Sequence, residues 1–171
     1  MRKLSRFIGV SAVLASIAVL LLGSAAYAQA ATSLVQSKTG DNNFGGTSYS
    51  ASFSSNTTAG NTIAVVIQWY NGAGSSVGNV ASVNDSQGNS YTLSPASLGT
   101  AVTSGYARMG AQIAYATAIV GGADTVTVNW DQPGSGFMSL YELTPSTFDA
   151  AVSAATTGSN PSAGSITTSS N

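Results

Sequence analysis

The stretch VNDSQGNSYTLSP, Val83 to Pro95, holds the densest set of groups able to do chemistry. Asp85, the Ser86 hydroxyl and Asn89 offer hard oxygen atoms of the kind that bind calcium. A calcium site takes about six to eight oxygens, usually from more than one carboxylate, and this loop carries a single acid. No EF-hand spacing or nonapeptide repeat accompanies it. Turn chemistry accounts for the same residues without a metal. Asp85 caps the turn, Gly88 takes a positive φ, Asn89 tolerates the left-handed region, and Tyr91 resumes the strand. The stretch reads as a hairpin turn.

Catalysis in this chain would have to run on carboxylates. There is no histidine and no cysteine, which excludes an imidazole base, a thiolate nucleophile and a Cys/His zinc or copper site. Glycoside hydrolysis takes two Asp/Glu groups facing each other across the scissile bond. Glu142 is the sole glutamate. Asp124 and Asp131 are an odd number of positions apart, so on one straight strand they face opposite ways. A G-x-S-x-G elbow is absent, and a triad would lack its histidine. The reading is a non-enzyme, with no catalytic, cofactor-binding or metal residues assigned.

Binding residues are easier to nominate. In KTGDNNFGGTS, Lys38 to Ser48, the groups of Asp41, Asn42 and Asn43 can hydrogen-bond sugar hydroxyls while Phe44 or Tyr49 stacks on a ring. An ordinary glycine-rich loop has the same composition. Trp69 shares a face with Ile63, Val65 and Ile67, and Trp130 with Val126 and Val128, so both tryptophans read as core. Tyr106 lies on the polar face with Arg108 and Gln112, which makes it the aromatic best placed for a ligand.

The elements that must position these residues are short β-like runs between clusters of Gly, Ser, Asn and Asp. Thr32–Ser37 and Ser48–Ser54 are the first two. Asn61–Tyr70 is apolar on both parities, as a strand covered on both faces should be. VGNVASVND follows, and YARMGAQIAYATAIV alternates with Ala107, Met109, Ala111, Ile113 and Tyr115 on one face. Asp124–Asp131 is the clearest strand, with Val126, Val128 and Trp130 opposite Thr125, Thr127 and Asn129. QPGSG reads as the turn after it, with Phe137–Leu143 pairing back. Weak strands are predicted at Phe148–Val152 and Ser165–Thr168. The fold class is all-β, an antiparallel β-sandwich of jelly-roll or immunoglobulin-like order.

The N-terminus carries an address. Arg2, Lys3 and Arg6 precede an apolar run from Phe7 to Leu22, then Ala26-Tyr27-Ala28, which is the layout of a secretory signal peptide. Cleavage after Ala28 or Ala30 fits. The apolar run is shorter than the roughly 20 residues of a membrane span, and no charge cluster follows it. The reading is a signal peptide at 1–28 and one domain at 29–171, secreted or displayed at the cell surface. In that mature portion Lys38 and Arg108 oppose Asp41, Asp85, Asp124, Asp131, Glu142 and Asp149, for a net charge of −4. Such a chain has no basic footprint for nucleic acid or anionic membranes. Extracellular polysaccharide or another surface protein is the better class of partner.

TAGNTIAVVIQW, VASVNDSQGNSYTL, IAYATAIVGGADTVTVNW and LYEL occur in that order. With them the chain, from about Thr32 to Thr168, resembles a poorly characterised family of exported bacterial β-sandwich modules. Members often stand N-terminal to immunoglobulin-like or fibronectin-like repeats in secreted or surface proteins. The resemblance implies a fold and no catalytic residues. It also implies that further strands normally follow GSITTSSN, so the chain reads as a fragment lacking its C-terminal strands. The function expected is a non-catalytic exported module with a structural, adhesive or surface-display role. The alternative is a carbohydrate-binding module. A row of exposed aromatics on one sheet face would favour that alternative, and a uniform Ser/Thr face would count against it.

Overall fold

Thr62–Gly72 sets the centre of the fold, because its two apolar faces need cover on both sides. The computed structural model describes residues 31–40, 46–72, 78–100, 106–153 and 165–168, with 71–72, 97–100 and 106–108 as backbone only. Residues 1–30, where the signal peptide at 1–28 is expected, and loop residues Asp41, Asn42, Asn43 and Phe44 lie outside the described residues. Eight strands follow in order: β1 Leu34–Gly40, β2 Gly46–Ser52, β3 Thr62–Gly72, β4 Val80–Asp85, β5 Thr92–Leu93, β6 Ser97–Thr100, β7 Tyr106–Ala116 and β8 Thr125–Leu143. Every pairing is antiparallel. The fold is all-β and sandwich-like. No helix among the described residues is long and apolar enough to cross a membrane.

β8 organises both layers. Its first part, to Trp130, pairs with β2 on one side and β4 on the other, forming a small sheet. Its second part, from Ser135, pairs with β1 and β3 in a large sheet ordered β1-β8-β3-β7, with β5 and β6 on the far side of β7. The expected hairpin over QPGSG is therefore corrected. Residues 125–143 are one 19-residue strand, and its two halves do not pair with each other. The turn-like residues make a bulge instead: Ser48 opposes Asn129 while Gly46 opposes Gly134. Pro133, lacking an N–H, suits such a break in the ladder, where the strand bends from one sheet into the other.

The inner faces meet in one core. Ala51, Val83, Val126, Val128 and Trp130 enter it from the small sheet, and Ile63, Val65, Ile67, Trp69, Met138 and Leu140 from the large one. Both tryptophans are buried, as their face-mates predict. β7 departs from expectation. Gly110, Ala114 and Ala116 point inward, while Met109 and Ile113 are exposed. The larger apolar residues lose the inward position because Trp69 occupies it. A Cβ on Gly110 would overlap the indole ring, which is held by a 2.7 Å hydrogen bond from its Nε1 to Gly78 O. The strands predicted at Phe148–Val152 and Ser165–Thr168 do not form. Residues 144–153 cross the outside of the large sheet as a strap, which begins where Thr144 N–H donates to Ser33 O at 2.9 Å.

Candidate functional site

Three loops meet at one end of the sandwich, and buried acids tie them together. Asp85, the last residue of β4, accepts four hydrogen bonds. Gln87 N–H (3.1 Å) and Asn89 N–H (2.9 Å) reach Oδ1. Asn89 Nδ2 (2.7 Å) and Tyr91 O–H (2.9 Å) reach Oδ2. Gly88 has φ +75°, as the turn reading requires, while Asn89 keeps a negative φ. One part of that reading is corrected. The turn does not close a hairpin, because β4 pairs in the small sheet and β5 in the large one. It is a crossing between layers, and Asp85 holds it.

Asp124 faces the same loop from the start of β8. It is 3 % exposed, and its Oδ2 is buried without accepting a hydrogen bond. Ser86 Oγ lies 3.3 Å from Oδ1 and accepts Thr125 N–H at 3.0 Å. Burial, then the Asp85 charge, pushes the Asp124 carboxyl up to about 6 against the opposing hydrogen bond from Ser86. Burial and the Asp85 charge also hold the Tyr91 phenol above its ordinary range, so it remains a donor. Asn89 extends the joint by accepting Val120 N–H at 2.7 Å.

Glu142 closes the neighbouring loop and is 0 % exposed. Asn61 Nδ2 (2.6 Å) and Thr58 N–H (2.7 Å) donate to Oε1, and Gln36 Nε2 (2.6 Å) to Oε2. Burial alone would raise its carboxyl, but the hydrogen bonds from Gln36, Thr58 and Asn61 outweigh it and hold the group below its ordinary range. Asp131 does similar work at the other end of the small sheet, accepting Asn79 N–H at 2.6 Å. Asp124 is buried and Asp131 exposed, as their odd spacing predicts. No group of three or more His, Cys, Asp or Glu among the described residues is placed to hold a metal ion.

The two outer faces differ in chemistry. On the small sheet, the hydroxyls of Ser50 and Thr127 lie 2.8 Å apart, as do those of Ser52 and Thr125, and Asn129 Nδ2 donates to Ser82 Oγ at 3.0 Å. On the large sheet the face carries rings. Ala64 of β3 sits between Tyr115 of β7 and Tyr141 of β8, and Phe137, 45 % exposed, lies on the same side of β8. The strap adds Phe148, whose ring stacks on Tyr115 with centroids 4.2 Å apart and planes 7° off parallel. A cavity of about 310 Å³ lies beneath it.

The residues singled out from the sequence scatter. Tyr49 of β2 packs partly buried against the core, so it is not a displayed ring. Tyr106 begins β7, with its side chain outside the described residues. The meeting of Asp85 with Asp124 was not foreseen, since the two are far apart in sequence. The available signal was that each acid stands at a strand end beside a Gly-containing loop, Asp85 closing β4 and Asp124 opening β8. The strap and cavity left no sequence signal beyond an isolated phenylalanine. No family model, curated protein or solved structure matches the chain, so the site rests on its own geometry.

Proposed function

We propose that this is a non-catalytic, exported β-sandwich module with a structural, adhesive or surface-display role. One observation carries the reading: Asp85, Glu142 and Asp131 all spend their oxygens on hydrogen bonds that fix loops and strand ends. A carboxylate saturated by backbone and amide donors is poorly disposed to shuttle protons to a substrate. The test is incubation of the purified chain with a panel of soluble and insoluble polysaccharides. The expected result is no release of reducing ends. Turnover that disappears in Asp85→Asn or Glu142→Gln would overturn the proposal.

A carbohydrate-binding role is the second reading, and the ring-bearing face of the large sheet favours it. Tyr115, Tyr141, Phe137 and Phe148 share that side. Aromatic faces present partial negative charge to the polarised C–H groups of a sugar ring. The hydroxyl-lined face of the small sheet lacks such rings among its described residues. Retention of the chain on an insoluble polysaccharide, and its loss in Phe137→Ala/Tyr141→Ala, is the expected outcome under this reading.

A further inference from the structure

We infer that the joint between Asp85 and Asp124 is a proton-operated latch: with Asp124 neutral it holds the turn 86–91 against the loop 117–123, and loss of that proton loosens the turn. Asp124 is 3 % exposed, yet its Oδ2 accepts no hydrogen bond from the described residues. Oδ1 has a weak donor, because the one Ser86 hydroxyl proton serves both it and Ala123 O, each at 3.3 Å. The titratable groups that face Asp124 are Asp85 of β4 and the phenol of Tyr91, ahead of β5. The segments 48–61, 80–91 and 117–130 around it contain no lysine or arginine. Losing the proton therefore sets a second anion against Asp85 with no counter-charge from those segments, where burial strengthens the repulsion.

The loop side of the joint is fixed independently of the two acids. Thr57 N–H donates to Gly122 O at 2.9 Å and Gly122 N–H to Thr57 O at 3.0 Å. Gly60 N–H donates to Ile119 O at 2.9 Å, and Ile119 N–H to Asn61 O at 3.0 Å. The turn is held differently. Beyond Ser86 N–H to Thr125 O, its described ties to loop 117–123 and β8 run through side chains. Asn89 Oδ1 accepts Val120 N–H, Gln87 Nε2 donates to Ala123 O, and Ser86 Oγ accepts Thr125 N–H. A segment held by side chains opens more readily than one held by a backbone ladder, so the turn is the part that moves.

A proton suits this joint better than a metal ion. Asp85 already accepts two hydrogen bonds on each oxygen. That leaves Asp124 and the Ser86 hydroxyl, well short of the roughly six to eight oxygens that calcium takes. Burial, and then the Asp85 charge, raise the Asp124 carboxyl from 3.8 to about 6, in keeping with a retained proton. The sign follows from that direction. The latch is tightest below the ordinary value of 3.8, weakens as pH rises, and stops changing above about 6.

The test is hydrogen exchange of the full chain followed by NMR, each amide's rate corrected for its intrinsic pH dependence. From about pH 4.5 to 7 the protection of Val120 N–H should fall about tenfold or more and level off above about 6. Ile119 and Gly122, on either side of it, should keep theirs. Asp124→Asn should hold Val120 protection constant over the same range. Asp124→Ala should also hold it constant, at whatever level it sets, and thermal melting checks that both variants are folded. Val120 protection that ignores pH in the parent, or a step that persists in either variant, would overturn the latch. A parallel fall at Ile119 and Gly122 would overturn it too, as a general loosening of that end. Added calcium chloride at pH 7 should leave Val120 unchanged, and restored protection would assign the place to a cation and sink the proton as its occupant.

Discussion

Glu142 and Asp124 are both buried at the loop end of the sandwich, yet Glu142 meets three donors while Asp124 keeps an oxygen with no hydrogen bond and an anion for a neighbour. The contrast shows what a buried acid needs. Glu142 has enough N–H groups around it to remain charged, so its charge is an asset to the fold. Asp124 lacks them, so its proton is the asset. Both fix loops, Glu142 as the anion and Asp124 best when protonated, below about pH 6.

Removing Glu142 should have the largest effect. Glu142→Ala leaves the Gln36 and Asn61 amides and Thr58 N–H without their acceptor in a buried place, at a cost of about 3–5 kcal/mol. Urea denaturation at neutral pH measures this as a lower midpoint. Asp85→Ala comes next, at about 2–3 kcal/mol, because the layer-crossing turn loses its acceptor. The same substitution should lower the Asp124 titration midpoint from about 6, which NMR of the side-chain carboxyl can follow. A midpoint that does not move would break the claimed coupling of the two acids.

The pH profile distinguishes the corners by sign. Asp124, raised from 3.8 to about 6, contributes stability that is full below its unfolded value and lost as pH rises through about 6. Glu142, held below its ordinary value of 4.5, contributes stability present above that value and lost as pH falls below it. The thermal midpoint should therefore peak between about pH 3.8 and 4.5 and fall as pH rises to about 6. Asp124→Asn should flatten the alkaline side, with a gain of about 1–2 kcal/mol over the parent at pH 8 that shrinks at pH 5. The smallest expected change is Gly88→Ala. The added methyl meets open space, so the φ of +75° alone opposes it, at about 1 kcal/mol.

Much of the sandwich was legible from alternation. Val126, Val128 and Trp130 inward against Thr125 and Thr127 outward came directly from period two. Three features were not legible, each because a distant residue decided them. QPGSG has the chemistry of a hairpin turn, but β2 and β4 claim the first half of β8 while β1 and β3 claim the second. β7 has a good apolar face, but Trp69 requires Gly110 beneath it, and that turns Met109 and Ile113 outward. Asp85 reads correctly as a turn cap from local sequence alone. Its partnership with Asp124 depends on tertiary closure, which local pattern does not encode.

The single strand shared by both sheets also fixes when the molecule can form. β1, β2, β3 and β4 all find a partner in residues 125–143, so four strands made early wait on one made late. A chain emerging from its N-terminus can close neither sheet until that segment is out, and loop closures this long make folding slow. Until then Thr62–Gly72 stands with both apolar faces bare, which makes the growing chain a natural client for whatever holds unfolded proteins apart.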